Sequence, residues 1–175
     1  MSLANGQPYR AIPGPSVIPD RVQRAMHRGS PNIYGGDLVD MVAAMIPDLR
    51  RIAGTAHHVA PYIGNGHAAW EAANANIFSR GETALVLASG HFGHGWANHA
   101  RGMGINVEML DFGRADPADP ARLEAALRAD RTGKIKAVLV TQVDTASSVR
   151  NDIAALRTAM DAAGHDALLV VDCIA

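Results

Sequence analysis

Five short apolar runs, near residues 58–63, 84–89, 105–110, 136–142 and 167–172, alternate along this 175-residue chain with helix-like segments near 67–79, 92–103, 119–130 and 152–163. Runs such as Ala84-Leu85-Val86-Leu87-Ala88 and Ala167-Leu168-Leu169-Val170-Val171 are apolar throughout, with no polar residue at every second position. A strand of that kind is covered on both faces. Strands separated by helices pair in parallel, because the crossover returns the chain to the same end of the sheet. The pattern therefore predicts an α/β fold, a mostly parallel sheet with helices on both faces. Ligands of such sheets collect in the loops after the carboxyl ends of the strands. The polar and Gly-rich stretches fall there, at 64–67, 89–93, 142–148 and 172–175.

Upstream of the alternation, residues 1–18 carry Pro8, Pro13, Gly14 and Pro15 and read as an extended arm, with 19–175 as the body of the domain. A short helix is expected from Asp20 to Arg28, opened near Pro19 and closed by Gly29. Asp37 is expected to cap a helix that runs to Ile52 and ends at Gly54, with a kink or break at Pro47.

A net charge of −1 gives no basic footprint for nucleic acid. The apolar runs are too short to span a bilayer. The start, Met1-Ser2-Leu3-Ala4-Asn5-Gly6, has no basic region followed by an apolar core. Cys173 stands alone, which excludes an internal disulfide and fits a reducing compartment. A cytoplasmic location is expected. The last apolar run ends at Asp172, three residues before the sequence stops, so a longer protein is expected.

Gly64-Asn65-Gly66-His67 feeds a helix start. Its backbone N–H groups and the helix dipole suit a phosphate, although an ordinary tight turn has the same composition. Asp172 closes an apolar strand, where a carboxylate is costly to desolvate without a partner. It reads either as a cap for the next segment or as a partner for a cationic ring nitrogen or a metal. Phe92, in Ser89-Gly90-His91-Phe92-Gly93, reads as a loop aromatic on the sheet edge or as a stacking surface for a planar ligand. The hydroxyls and carboxylate of 141–148 read as caps for a helix starting near Asn151 or Asp152. His91, His94 and His99 do not share one helix face and have no acidic ligand placed with them, so no metal site is expected. A nucleotide-binding reading fails on the missing third glycine after Gly64 and Gly66. It fails also on the absence of an acidic residue at Ala88-Ser89.

These residues, in this order, resemble the class V, fold type I, pyridoxal-phosphate-dependent aminotransferases, and within them the alanine–glyoxylate and serine–pyruvate group. The similar segments are 12–22, Gly64-Asn65-Gly66-His67 with Glu71-Ala72-Ala73, 87–96, 144–149 and Leu169-Val170-Val171-Asp172. The resemblance implies part of the large cofactor-binding domain. It implies that Gly66 and His67 offer amides to the cofactor phosphate, Phe92 stacks on the ring, Thr145 hydrogen-bonds the cofactor, and Asp172 meets the ring nitrogen. Gly14 and Gly35 are implied at the substrate pocket. It further implies a homodimer and an exchange of the amino group between a small alanine- or serine-like amino acid and a 2-oxo acid such as glyoxylate or pyruvate. The family's Schiff-base lysine follows the Asp strand, and Lys134 and Lys136, the sole lysines here, precede it. The small domain with its substrate-carboxylate arginine is also missing, so the 175 residues alone are expected to be inactive. Alternatives on the same scaffold are pyridoxamine–pyruvate aminotransferase, aminoethylphosphonate aminotransferase and cysteine desulfurase; a non-catalytic fragment is the other. Three departures from the family pattern stand out: Ser147-Ser148 for its Thr-Gly pair, Phe92 for a frequent tryptophan, and Asn65 for a serine-like residue.

Overall fold

The computed structural model describes residues 11, 12 and 14–175. Pro8 and Pro13 of the arm lie outside the described residues. The chain divides into two compact units, residues 1–61 and 62–175.

The first unit holds α1 (Asp20–Met26) and α2 (Asp37–Ile52), neither of which contains a buried residue. Two expectations are corrected here. Asp37 is not the cap of α2. Gly36 takes that position at φ +79°, and Asp37 and Asp40 lie inside the first turn, where their charge meets the positive end of the dipole. Pro47 does not break the helix, whose flanking turns contain good helix formers such as Ala43, Ala44 and Leu49. Gly54, left-handed at φ +62°, follows its end as expected.

The run 58–63 is not a strand. Pro61 has no N–H to give a ladder, and Tyr62 and Ile63 are exposed, so nothing there is gained by pairing.

The second unit is built on a parallel sheet in the order β2-β1-β3-β6. Its strands are β1 (Thr83–Ala88), β2 (Asn106–Asp111), β3 (Ile135–Thr141) and β6 (Leu168–Asp172), and all three pairings are parallel. Between β3 and β6 the chain forms a short antiparallel hairpin, β4 (Val143–Asp144) and β5 (Val149–Arg150). The alternation of side chains along the strands separates two cores. Leu85, Leu87, Val138 and Val140 pack with Leu123 and Leu127 of α5 (Pro120–Ala129) and Leu156 and Met160 of α6 (Ile153–Ala163). Ala84, Val86, Ala137 and Leu139 point the other way, to Trp70 of α3 (Gly66–Ile77) and Trp96, Ala97 and Ala100 of α4 (His91–Gly102). Small alanines on this second face leave room for the two indoles. All six residues of β1 are buried, which is why that run is apolar throughout. Helices thus cover both faces, as the sequence pattern requires, and the strands' carboxyl ends share one edge.

Candidate functional site

At that edge, three loops and one helix start are held together by buried and half-buried polar contacts. Asn65 caps α3: its Oδ1 accepts from Ala68 N at 3.1 Å. The amides of Gly66 and His67, in the first turn, have no intrahelical acceptor. Gly64 is pressed on the helix, since a Cβ there would lie 2.5 Å from the Ala68 Cβ. One turn on, Trp70 Nε1 donates to Asp172 Oδ2 at 2.9 Å. Asp172 Oδ1 accepts from Ile174 N at 3.2 Å, the local contact of a residue that ends a strand. Gly66, Trp70, Trp96 and Asp172 line one cleft of about 330 Å³, floored by Val170 and Val171. Trp70 stacks on Trp96 with centroids 5.5 Å apart and planes 5° from parallel. Phe92 meets Trp70 edge-on at 6.4 Å.

The turn after β1 is fastened to the turn after β3. Asp144, wholly buried, places Oδ2 on Phe92 N (2.7 Å) and Gly93 N (3.2 Å) and Oδ1 on Ala146 N (3.1 Å). It therefore caps α4 from 52 residues away, in the place of a side chain that Gly90 lacks. A Cβ on Gly90 would sit 2.5 Å from the Asp144 Cγ, so the close approach itself requires glycine. Ser147 Oγ donates to Ser89 O at 2.8 Å, a second strut. Asn151 joins three segments: its Oδ1 accepts from Ala118 N, and its Nδ2 donates to Ser89 Oγ and Thr141 O. The expected capping of α6 by the 141–148 cluster is corrected by these contacts. Asp152 caps α6 through Ala155 N, while Asp144 and Ser147 serve the β1–α4 turn.

No family model matches the chain. Serine–glyoxylate aminotransferase of Methylorubrum extorquens is 37% identical over 168 residues, 95% of this chain and 42% of that protein. L-aspartate–glyoxylate aminotransferase of Paracoccus denitrificans is 34% identical over 164 residues, 92% of this chain and 41% of that one. In fold, the chain matches the crystal structure of an alanine–glyoxylate aminotransferase from Nostoc sp. with a TM-score of 0.82 at 22% identity, over 98% of this chain and 45% of that one. Over nearly its whole length the chain is similar to the N-terminal part of class V aminotransferases. It spans about two fifths of the length of the curated relatives it matches, in their N-terminal part.

The positions that the resemblance singled out fall as follows. Gly66 and Asp172 share the cleft. His67 lies in the same helix turn as Gly66, its ring 4.7 Å from Trp70. Phe92 is the second residue of α4, half-buried beside Trp70. Thr145 opens the turn between β4 and β5, half-buried. Gly14 and Gly35 belong to the unit 1–61; Gly35 lies in a shallow hollow with Pro31, Asn32 and Asp37. Ser148, at the family's glycine position, stands at φ +62°, the left-handed region where glycine is favoured. Among the described residues no group of three metal-ligating side chains occurs. Trp70 and Asn151 escaped the sequence reading. Trp70 is four positions after Gly66 on a helix that faces the sheet, but its partner lies 102 residues away.

Pyridoxal phosphate, the cofactor that aminotransferase relatives imply, needs an anchor for a phosphate, an anion for a ring nitrogen and flat apolar walls. The donor set fits. Free amides begin α3, aromatic rings line the cleft, and Asp172 retains acceptor capacity because a carboxylate has about four lone-pair sites and two are used here.

Proposed function

We propose that the chain is the N-terminal part of a pyridoxal-phosphate-dependent aminotransferase whose full-length form exchanges an amino group between a small alanine- or serine-like amino acid and a 2-oxo acid such as glyoxylate or pyruvate. The observation that carries this is the single cleft with the start of α3 and the Asp172 carboxylate on its wall. The relatives' serine, aspartate and glyoxylate substrates support the substrate class.

In this reading residues 19–175 belong to the large cofactor-binding domain, and residues 1–18 form an arm. The amides of Gly66 and His67, backed by the α3 dipole, hold the phosphate. Phe92 covers one face of the ring and excludes water from it. Thr145 hydrogen-bonds the cofactor from the hairpin turn. Asp172 holds a proton on the ring nitrogen, because a nearby anion favours the cationic form of a base. When bound, the protonated ring serves as an electron sink for the substrate's α-carbon. Gly14 and Gly35 contribute to the substrate pocket. The protein works as a cytoplasmic homodimer. Among the described residues no helix is long and apolar enough to cross a membrane.

The test is a titration of the purified full-length protein with pyridoxal phosphate, followed by addition of L-serine, L-alanine or L-aspartate while the visible absorption is recorded. Binding, with bleaching by one of these donors and recovery on adding glyoxylate or pyruvate, is expected. Asp172→Asn should slow bleaching far more than it weakens binding. Binding that is unchanged by replacing Gly66 with a bulky residue, or bleaching unaffected by Asp172→Asn, overturns the assignment.

A further inference from the structure

We infer that Trp70 is a positioning residue for Asp172, and that α3 thereby sets both ends of the cofactor site; this rests on the aminotransferase reading. Asp172 ends β6, and its other hydrogen bond is the local one from Ile174 N. Such a side chain would turn freely among its rotamers and be hydrated in most of them. The indole of Trp70 is not free to turn. Trp70 is 4% exposed. It lies parallel to Trp96 and meets His67 and Phe92 edge-on. Trp96 is fixed in turn, its Nε1 donating at 3.2 Å to Oδ1 of the wholly buried Asn74. A rigid series of contacts therefore runs from the buried core to Oδ2 of Asp172.

The same helix begins with the amides of Gly66 and His67. Trp70 follows Gly66 by four residues, about 6 Å along the axis at the usual helical rise. One rigid element thus spaces the phosphate-holding amides from the carboxylate that faces the ring nitrogen.

The experiment measures the affinity of the full chain for pyridoxal phosphate and for its 1-deaza analogue, which lacks the ring nitrogen. The ratio of the two affinities reports the carboxylate–nitrogen contact alone. Trp70→Phe keeps the stacking and removes the donor. It should lower the ratio about tenfold, the scale of a hydrogen bond to a charged group. Added to Asp172→Asn it should lower the ratio no further, whereas a merely structural effect would weaken both ligands equally in either background. If Trp70→Phe fails to fold, a benzothienyl-alanine at position 70 has the indole's shape without its N–H and takes its place. A ratio that collapses with Asp172→Asn and stays unchanged with Trp70→Phe or the isostere overturns this inference alone. A ratio near one in the wild type, unmoved by Asp172→Asn, overturns the aminotransferase assignment of Asp172 beneath it.

Discussion

Removing the Asp144 carboxylate should unfasten the start of α4. The carboxylate is wholly buried and accepts from three amides, those of Phe92, Gly93 and Ala146. In Asp144→Ala these donors lose their acceptor, and a buried donor without one costs about 1–3 kcal/mol. Gly93 is buried and bears that cost in full; Phe92 and Ala146 are partly rehydrated. Loss of the negative charge at the helix start adds about 0.3–1 kcal/mol. The total is about 3–5 kcal/mol. Asp144→Asn retains one acceptor oxygen and should cost roughly half. Urea unfolding followed by indole fluorescence suits the measurement, because Trp70 and Trp96 both pack at this helix. Hydrogen exchange should show the Phe92 and Gly93 amides opening first. Gly90→Ala supplies the control. Its φ of 162° is extended backbone that any residue adopts, so its cost arises from the collision with Asp144. That cost, roughly 1–3 kcal/mol as for other overpacking, should vanish in the Asp144→Ala background. An Asp144→Ala protein within about 1 kcal/mol of wild type, with the Phe92 amide still protected, would refute the reasoning.

Asn151→Asp puts an acceptor against the Thr141 carbonyl and removes the donor to Ser89, so the urea midpoint should fall by the equivalent of about 2–4 kcal/mol. Ser148→Gly relieves a side chain held at φ +62° and should raise stability by roughly 0.5–1 kcal/mol in the same assay. Asp130 has its pKa lowered from 3.8 to about 2. Burial alone would raise it, but donors from the Ile135 and Lys134 backbone, Thr132 and His165 outweigh burial. A depressed folded pKa contributes stability that is complete above 3.8 and is lost as pH falls through about 2. The difference in urea midpoint between wild type and Asp130→Asn should therefore stay constant from pH 7 to 5 and close progressively toward pH 2.

The sequence made the sheet legible because its strands are buried on both faces. Four of the five apolar runs became strands, displaced by one residue at most at their starts. The fifth, 58–63, has the same apolar content but contains Pro61 and pairs with nothing, and apolar content alone cannot tell an exposed segment from a strand. The hairpin of β4 and β5 was invisible because two-residue strands have no period. Asp172 stood out for a local reason, the cost of a carboxylate at the tip of an apolar strand. The residues that hold the site together carry no local signal of that kind. Asp144 sits where a cap for α6 is expected and instead caps α4, which precedes it; Trp70 looks like one more core aromatic on α3. Both act across the parallel sheet on partners brought near by crossovers. The topology that was readable from the apolar runs is thus what gives these two side chains their roles. In a parallel sheet every strand delivers its next loop to the same edge. A buried carboxylate in one loop can then satisfy the free amides of a helix start in another, and a single helix can set the spacing between two loops. The same atoms carry both the stability of the domain and the placing of the loops at this edge, so a variant such as Asp144→Asn should loosen the Phe92 turn before it unfolds the domain.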